Sequence, residues 1–400
     1  MGKSVKNRKK KKLNKYAVRR IMAIVFIIIL IFAIKGIVSL FKGKEKKPDL
    51  SILLNNQFLS TQKEVIIDEG QNIYFSKDDI QLIFDEMIYY NDAEKELITT
   101  YNTHTALLKI DEANMLINDQ NVPLTGRLQD IDGIVYVPLK DLQTVYDIEI
   151  QYLEENNRII IDSLLKEKKQ ASLAKNAKIK EKKGIFKDTI DEVLAGETVV
   201  VLETDKNYKK VRTSLGNIGY VKANKLINEV TLREDVKKEV FDLKIYEEYS
   251  NISGIYEDIT VDENKLNLVT PTFFYIGKNS KLLDKTASST ATYANYTNWL
   301  KENKLEILPT LESTECVCST LLTYSQRSQI INGLCEKIVK YQYKGINIDI
   351  DEVDDINSLY RLIIELAPRF KELDLILCVT LNDQTEKEKI LKITDYIIEE

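Results

Sequence analysis

Histidine is nearly absent from this 400-residue chain: His104 is the only one. Cysteine is scarce, with Cys316, Cys318, Cys335 and Cys378 all in the last quarter. The single intervening residue of Cys316-Val317-Cys318 is the wrong spacing for a zinc knuckle, and His104 is far away in sequence, so no metal site is expected. Four cysteines allow three full disulfide pairings, and free or buried thiols fit the spacing equally well. No acidic residue occurs before Glu45. The first 41 residues hold 11 of the 57 basic residues, and the remainder, with 46 basic residues against 62 acids, stands at −16. That surplus of acid argues against nucleic acid as a partner.

The longest apolar run covers residues 21–34 and resumes after Lys35 to about Phe41. A stretch of roughly 20 apolar residues is enough to cross a bilayer core. Lys35-Gly36-Ile37-Val38-Ser39 offers a poor cleavage site, which favours an uncleaved anchor over a signal peptide. The basic flank ahead of it sets the expected orientation. The expectation is a single-pass cell-membrane protein, with a cytoplasmic tail (1–20), a transmembrane helix (21–41), a linker (42–63) and an extracellular C-terminal ectodomain.

Residues 64–165 read as short strands with short helices between them. Ile73-Tyr74-Phe75 and residues 96–101 have strand character. Ser76 caps a helical stretch over 77–87 whose first turn carries Asp78 and Asp79. A second cycle follows, with Val135-Tyr136-Val137-Pro138 as strand, 139–146 as helix and 158–161 as strand, a weak internal duplication. Residues 166–183 read as a basic linker. Residues 177–228 hold about five short strands joined by tight polar turns, suggesting a small barrel.

From about residue 240, strands and helices alternate as in a β/α barrel. Strands are expected at 241–245, 266–274, 305–310, 345–351, 375–381 and 395–399, and helices at 293–301, 325–341 and 356–372. The informative strand is Lys344-Gly345-Ile346-Asn347-Ile348-Asp349-Ile350-Asp351-Glu352. Alternation puts Asn347, Asp349 and Asp351 on one face and Ile346, Ile348 and Ile350 on the other. Three polar side chains on an inward face are costly as packing, and at the C-terminal end of a barrel strand such a row points to a site.

Three resemblances attach to these segments. The words Ile73-Tyr74-Phe75-Ser76 and Val135-Tyr136-Val137-Pro138-Leu139 resemble the copper-amine-oxidase-like N-terminal domain, which implies an α+β stalk domain over 64–165; with one histidine and no cysteine, neither metal nor catalysis is expected there. The 177–228 segment resembles bacterial SH3-like domains, which implies binding of peptidoglycan peptides by Tyr208 and Tyr220. Residues 344–351 resemble strand four of glycoside hydrolase family 18, and of its SH3-carrying, spore-germination-like wall hydrolases. Leu268-Val269-Thr270-Pro271-Thr272-Phe273-Phe274-Tyr275 resembles strand two of that subgroup, and Leu377-Cys378-Val379-Thr380-Leu381 its strand five.

The family-18 resemblance implies a substrate of N-acetylglucosamine-containing glycan, chitin-like or peptidoglycan, and no cofactor. It implies substrate-assisted hydrolysis, with Asp349 orienting the acetamido group, Asn347 at the inner polar position and Asp351 where the family has its acid glutamate. Aspartate is one methylene shorter, and a misplacement of about 1 Å costs on the order of a hundredfold. Lys344 also replaces the motif's first aspartate. The chain stops at Glu400, ahead of the family's M-x-Y-D word. This implies three alternatives: another polypeptide completes the barrel, the reading frame is interrupted, or the domain is a remnant. The whole expectation is a multidomain chain: an N-terminal transmembrane helix, an α+β stalk domain, a small SH3-like β-barrel and an incomplete β/α (TIM-type) barrel (240–400). It binds or acts on glycan with weak or lost catalysis; the alternative is an active glycosidase.

Overall fold

A computed structural model describes residues 48–399 except 185, 236–240, 253–259, 278–279, 287–289, 314–320, 322, 351–355 and 382–386. Among the described residues, 48–50 and 153–157 form one small unit, in which the Asn157 side chain donates to the Pro48 carbonyl at 2.9 Å. Residues 51–152 and 158–399 form a second compact unit.

The second unit is built chiefly of β-sheet, and this corrects the expected architecture. No helix among the described residues is long and apolar enough to cross a membrane, so the single-pass membrane location is not supported. The span expected over 21–41 lies outside the described residues. The α+β expectation for 64–165 fails for a local reason. Helix α1 (Lys77–Ile83) starts at Ser76, whose hydroxyl accepts from the Asp79 amide, and ends after seven residues. There Asp85 turns inward and accepts from the Thr99 hydroxyl at 2.6 Å and from the Thr100 and Met87 amides at 2.8 Å. A short acidic side chain that captures nearby backbone donors competes with the helix for them. The second expected helix, 139–146, is a series of turns. Its Asp141 carboxylate accepts from the Thr125 and Gly126 amides, and its Gln143 carbonyls take the Ile148 and Ile150 amides. The two duplicated strands, Ile73–Ser76 and Ile134–Pro138, pair antiparallel with Ser76 opposite Tyr136.

Residues 89–123 form a five-stranded antiparallel meander. Its fourth turn holds Asn118 and Asp119 at φ 46° and 65°, the left-handed pair that tight hairpins require. From that turn Asp119 reaches helix α3 (Tyr324–Tyr341), accepting from the Tyr324 hydroxyl at 3.0 Å, the Ser328 hydroxyl at 2.9 Å and the Asn332 amide at 2.8 Å. The segment expected as a stalk is therefore packed against the last module.

The region expected as a basic linker is strand. Lys168–Leu173 and Ala177–Lys180 belong to a seven-stranded antiparallel sheet with Thr189–Val193, Thr198–Thr204, Tyr208–Arg212, Ile218–Lys222 and Leu226–Arg233. Lysines masked the alternation: Ala171 is buried, and Leu173, Ala177 and Ile179 pack with Val193, Val199, Val211 and Val221.

In the last module, strands Leu243–Ile245, Leu266–Val269 and Glu306–Ile307 run parallel. Pro271 and Pro309 lack an amide hydrogen and interrupt the ladder there. Beyond them Thr272–Gly277, Thr310–Ser313, Gly345–Ile348, Ile376–Leu381 and Tyr396–Glu399 continue as parallel neighbours in chain order. Helices α2 (Thr290–Glu302), α3 and α4 (Ile356–Glu372) alternate with these strands, and the short α5 (Lys387–Ile390) precedes the last. Thr323 caps α3 in a reciprocal box with Gln326. Leu311, Ile346, Ile348, Leu377 and Val379 face the helices and join one large apolar core with Ile330, Leu334, Leu362 and Phe370.

Candidate functional site

The opposite face of the parallel strands changes character along their length. Toward the N-terminal ends Leu268, Leu308, Ile376 and Cys378 form a dry plug. One step further on stand Thr310 and Asn347, paired in register. The Asn347 side chain is 3 % exposed. Its amide donates to Thr380 Oγ1 at 3.0 Å and to Thr310 Oγ1 at 3.3 Å, and its carbonyl accepts from Thr380 Oγ1 at 3.3 Å. Thr310 Oγ1 donates in turn to the Thr270 carbonyl at 2.9 Å. A buried amide left unpaired would cost about 1–3 kcal/mol, and here both ends of it are held.

The next row is charged. Asp349 donates its backbone amide to the Leu311 carbonyl at 3.0 Å, which continues the register and sets Asp349 beside Glu312. Residues two apart on a strand share a face, so Glu312 and Asp349 rise over Thr310 and Asn347. Glu312 Oε1 accepts from the Thr272 hydroxyl at 2.6 Å. The outcome is a short gradient, apolar floor to hydroxyl-and-amide row to carboxylates, at the C-terminal end of the strands. Such a surface can hydrogen-bond several hydroxyl or amide groups of one polar ligand.

The structure brings Asn347 and Asp349 together on the expected face and sets Ile346, Ile348 and Ile350 among the buried core residues. The strand is shorter than expected and ends at Ile348, leaving Asp349 and Ile350 beyond it. Asp351 lies outside the described residues, as do Glu352, Cys316 and Cys318. Thr270, Thr310, Glu312 and Thr380 were not foreseen as site residues. The alternation of Leu308, Thr310 and Glu312, and of Ile376, Cys378 and Thr380, repeats the parity of the Asn347 strand and carried the signal.

Tyr208 and Tyr220 lie in the seven-stranded sheet. Their strands are neighbours in which Tyr208 pairs with Lys222 and Lys210 with Tyr220. Both rings are half-buried and lie opposite in parity to the core residues Val211 and Val221, so they share the outer face. Lys183 Nζ is 5.7 Å from the Tyr220 ring centre. The tyrosines thus lie diagonally across neighbouring strands and belong to a different sheet from Asn347.

Among the described residues no group of three or more histidine, cysteine or carboxylate side chains could hold a metal ion. Cys335 and Cys378 are free and buried. Burial pushes the Cys335 thiol up to about 11 and raises Cys378 further. Neither thiol is poised as a nucleophile.

The family described as the copper amine oxidase N-terminal domain matches residues 53–161. No curated protein matches the chain. Among solved structures, the chain is similar to a class V chitinase from Pseudomonas fluorescens Pf-5, at 17% identity over 34% of this chain and 46% of that one, with a TM-score of 0.30. It is similar to the Group IV chitinase of Ostrinia furnacalis in complex with allosamidin, at 19% identity over 33% of this chain and 42% of that one, with a TM-score of 0.29. A chitinase from Bacteroides thetaiotaomicron stands at 18% identity, 35% and 47% coverage and a TM-score of 0.29. The chain spans less than half the length of these three structures.

Proposed function

We propose that the chain binds an N-acetylglucosamine-containing glycan, chitin-like or peptidoglycan, at the C-terminal end of the parallel strands, with catalysis weak or lost. The observation that carries this reading is the row on the inner face. Asn347 is locked between Thr310 and Thr380 directly below Asp349 and Glu312. A sugar with an acetamido group needs both donors and acceptors from its site, and this row offers both. The string around Asp349 supports the same ligand class, because it resembles strand four of the family-18 hydrolases. In that resemblance Asp349 orients the acetamido group and Asp351 stands in the acid's position. The shorter Asp351 favours retention of the glycan over its cleavage. The outer-face pair Tyr208 and Tyr220, in the segment resembling SH3-like domains, is proposed as a second wall-polymer contact, since adjacent aromatic rings stack well on sugar or peptide faces.

The test is titration of the full chain with chitotetraose, following heat of binding and product release together. Binding is expected, with Asp349→Ala weakening it about tenfold, the loss of one charge-assisted hydrogen bond. Little shortening of the oligomer is expected. Absence of binding would remove the reading, whereas steady turnover abolished by Asp349→Ala would favour substrate-assisted hydrolysis instead.

A further inference from the structure

A second polar cleft lies elsewhere, where the first hairpin meets the seven-stranded sheet. The hairpin joins Ser51–Leu54 to Gln57–Leu59 through Asn55 and Asn56, at φ 47° and 70°. The Asn55 side chain closes on its own module by accepting from the Ser163 amide at 2.8 Å. Asn56 instead lines a cleft of about 380 Å³, and its Oδ1 is buried with no hydrogen-bond partner in the protein. That volume is in the range of small-ligand sites.

Five basic side chains and four carboxylates line the cleft, a net of +1 on an otherwise acidic molecule. Three of the cations are committed. Lys168 binds Glu149 at 2.8 Å and Asp162 at 3.2 Å, Lys169 binds Glu167 at 2.7 Å, and Lys210 binds Glu203 at 2.8 Å. Two are not. Lys166 makes no ion pair among the described residues. Arg233 reaches Glu149 with Nη2 at 3.4 Å, while its Nη1 is buried without a partner. A buried guanidinium donor left unsatisfied is costly, and a carboxylate is the group its planar fork fits.

We propose that this cleft binds a ligand ending in a single carboxylate, of the class of an acylated amino acid or short peptide. The carboxylate meets Arg233 with Lys166 beside it, and an amide N–H of the ligand donates to Asn56 Oδ1. The lining selects for one negative charge. One monoanion neutralises a net of +1, whereas a phosphate dianion would leave an excess negative charge among four carboxylates. The site is separate from the strand-end row and meets the Tyr208–Tyr220 strands at Lys210.

The experiment is calorimetric titration of the full chain with N-acetyl-alanyl-alanine, its C-terminal amide and inorganic phosphate. The acid is expected to bind with a dissociation constant below about 1 mM and the amide at least about tenfold more weakly. Arg233→Gln is expected to weaken the acid about tenfold with an unchanged melting midpoint, Lys166→Gln a few-fold, and Lys301→Gln, on the distant α2, not at all. Equal binding of acid and amide, full-strength binding by Arg233→Gln, loss of binding in Lys301→Gln, or binding of phosphate alone would each overturn the proposal.

Discussion

Asp162 lies 50 residues from Arg212 in sequence, and the two side chains form a two-pronged pair at 2.7 and 2.6 Å. The pair joins the strand Arg158–Ser163 to the seven-stranded sheet, with the two side chains only 12 % and 5 % exposed. Burial by itself raises the Asp162 carboxyl, but the Arg212 bonds and charge, helped by Lys168, outweigh it and hold the group below the usual carboxylate range. A carboxyl depressed in the folded state stabilises the fold above its unfolded value near 4, and that contribution is lost as pH falls through the lower, folded value. Asp162→Asn should therefore cost about 3 kcal/mol at pH 7, since it leaves Arg212 buried without its counter-charge. The gap between variant and parent should narrow as the pH drops below about 4. Denaturant melts of both proteins from pH 7 to pH 3 read this directly, and a constant gap across that range would contradict the assignment. Buried Arg327 and Glu365, bonded at 2.8 Å by two prongs, hold α3 to α4 in the same manner.

Among the elements, the strand Gly345–Ile348 has the least room for change. A side chain at Gly345 would drive into the backbone carbonyl of Ile376 on the neighbouring strand. Backbone cannot swing aside as a flexible side chain can, so Gly345→Ala should push Ile376–Leu381 away and break the Asn347–Thr380 contacts. A loss of about 3 kcal/mol or more in denaturant melts is expected, together with weaker glycan binding. A variant as stable as the parent would mean that the two strands are less tightly joined than their register indicates. This strand was also the most legible part of the sequence, because its alternation of isoleucine with Asn347 and Asp349 is strict and a two-residue period fixes which face each side chain takes. The helices α2, α3 and α4 lie close to where their apolar spacing predicts them. Legibility failed where local hydrogen bonding overrode periodicity, at Asp85 and over 139–147, and where lysines diluted a strand pattern, at Lys168–Leu173. It failed too at Glu312, whose partnership with Asp349 depends on a register between strands that no single segment of sequence contains.

At the scale of the molecule, the amine-oxidase-like segment is one wall of a packed unit. Its meander lays Asp119 on α3 and Asn118 on Glu372, and the Met87 carbonyl ahead of it accepts from Arg361. These contacts are made to α3 and α4, on the opposite face of the parallel strands from the proposed glycan row. The strand-end row lies on different strands from the tyrosine face and the hairpin cleft, so its occupancy can be read apart from theirs. The most direct measurement is hydrogen exchange of the full chain with and without saturating chitotetraose, resolved by peptide. Slowed exchange is expected in 306–313, 345–350 and 376–381, with clearly less protection of those segments for Asp349→Ala at a ligand concentration near the parent's dissociation constant. Protection confined to 208–222, or no protection anywhere, would contradict the assignment of the glycan to the row formed by Thr310, Asn347, Asp349 and Thr380.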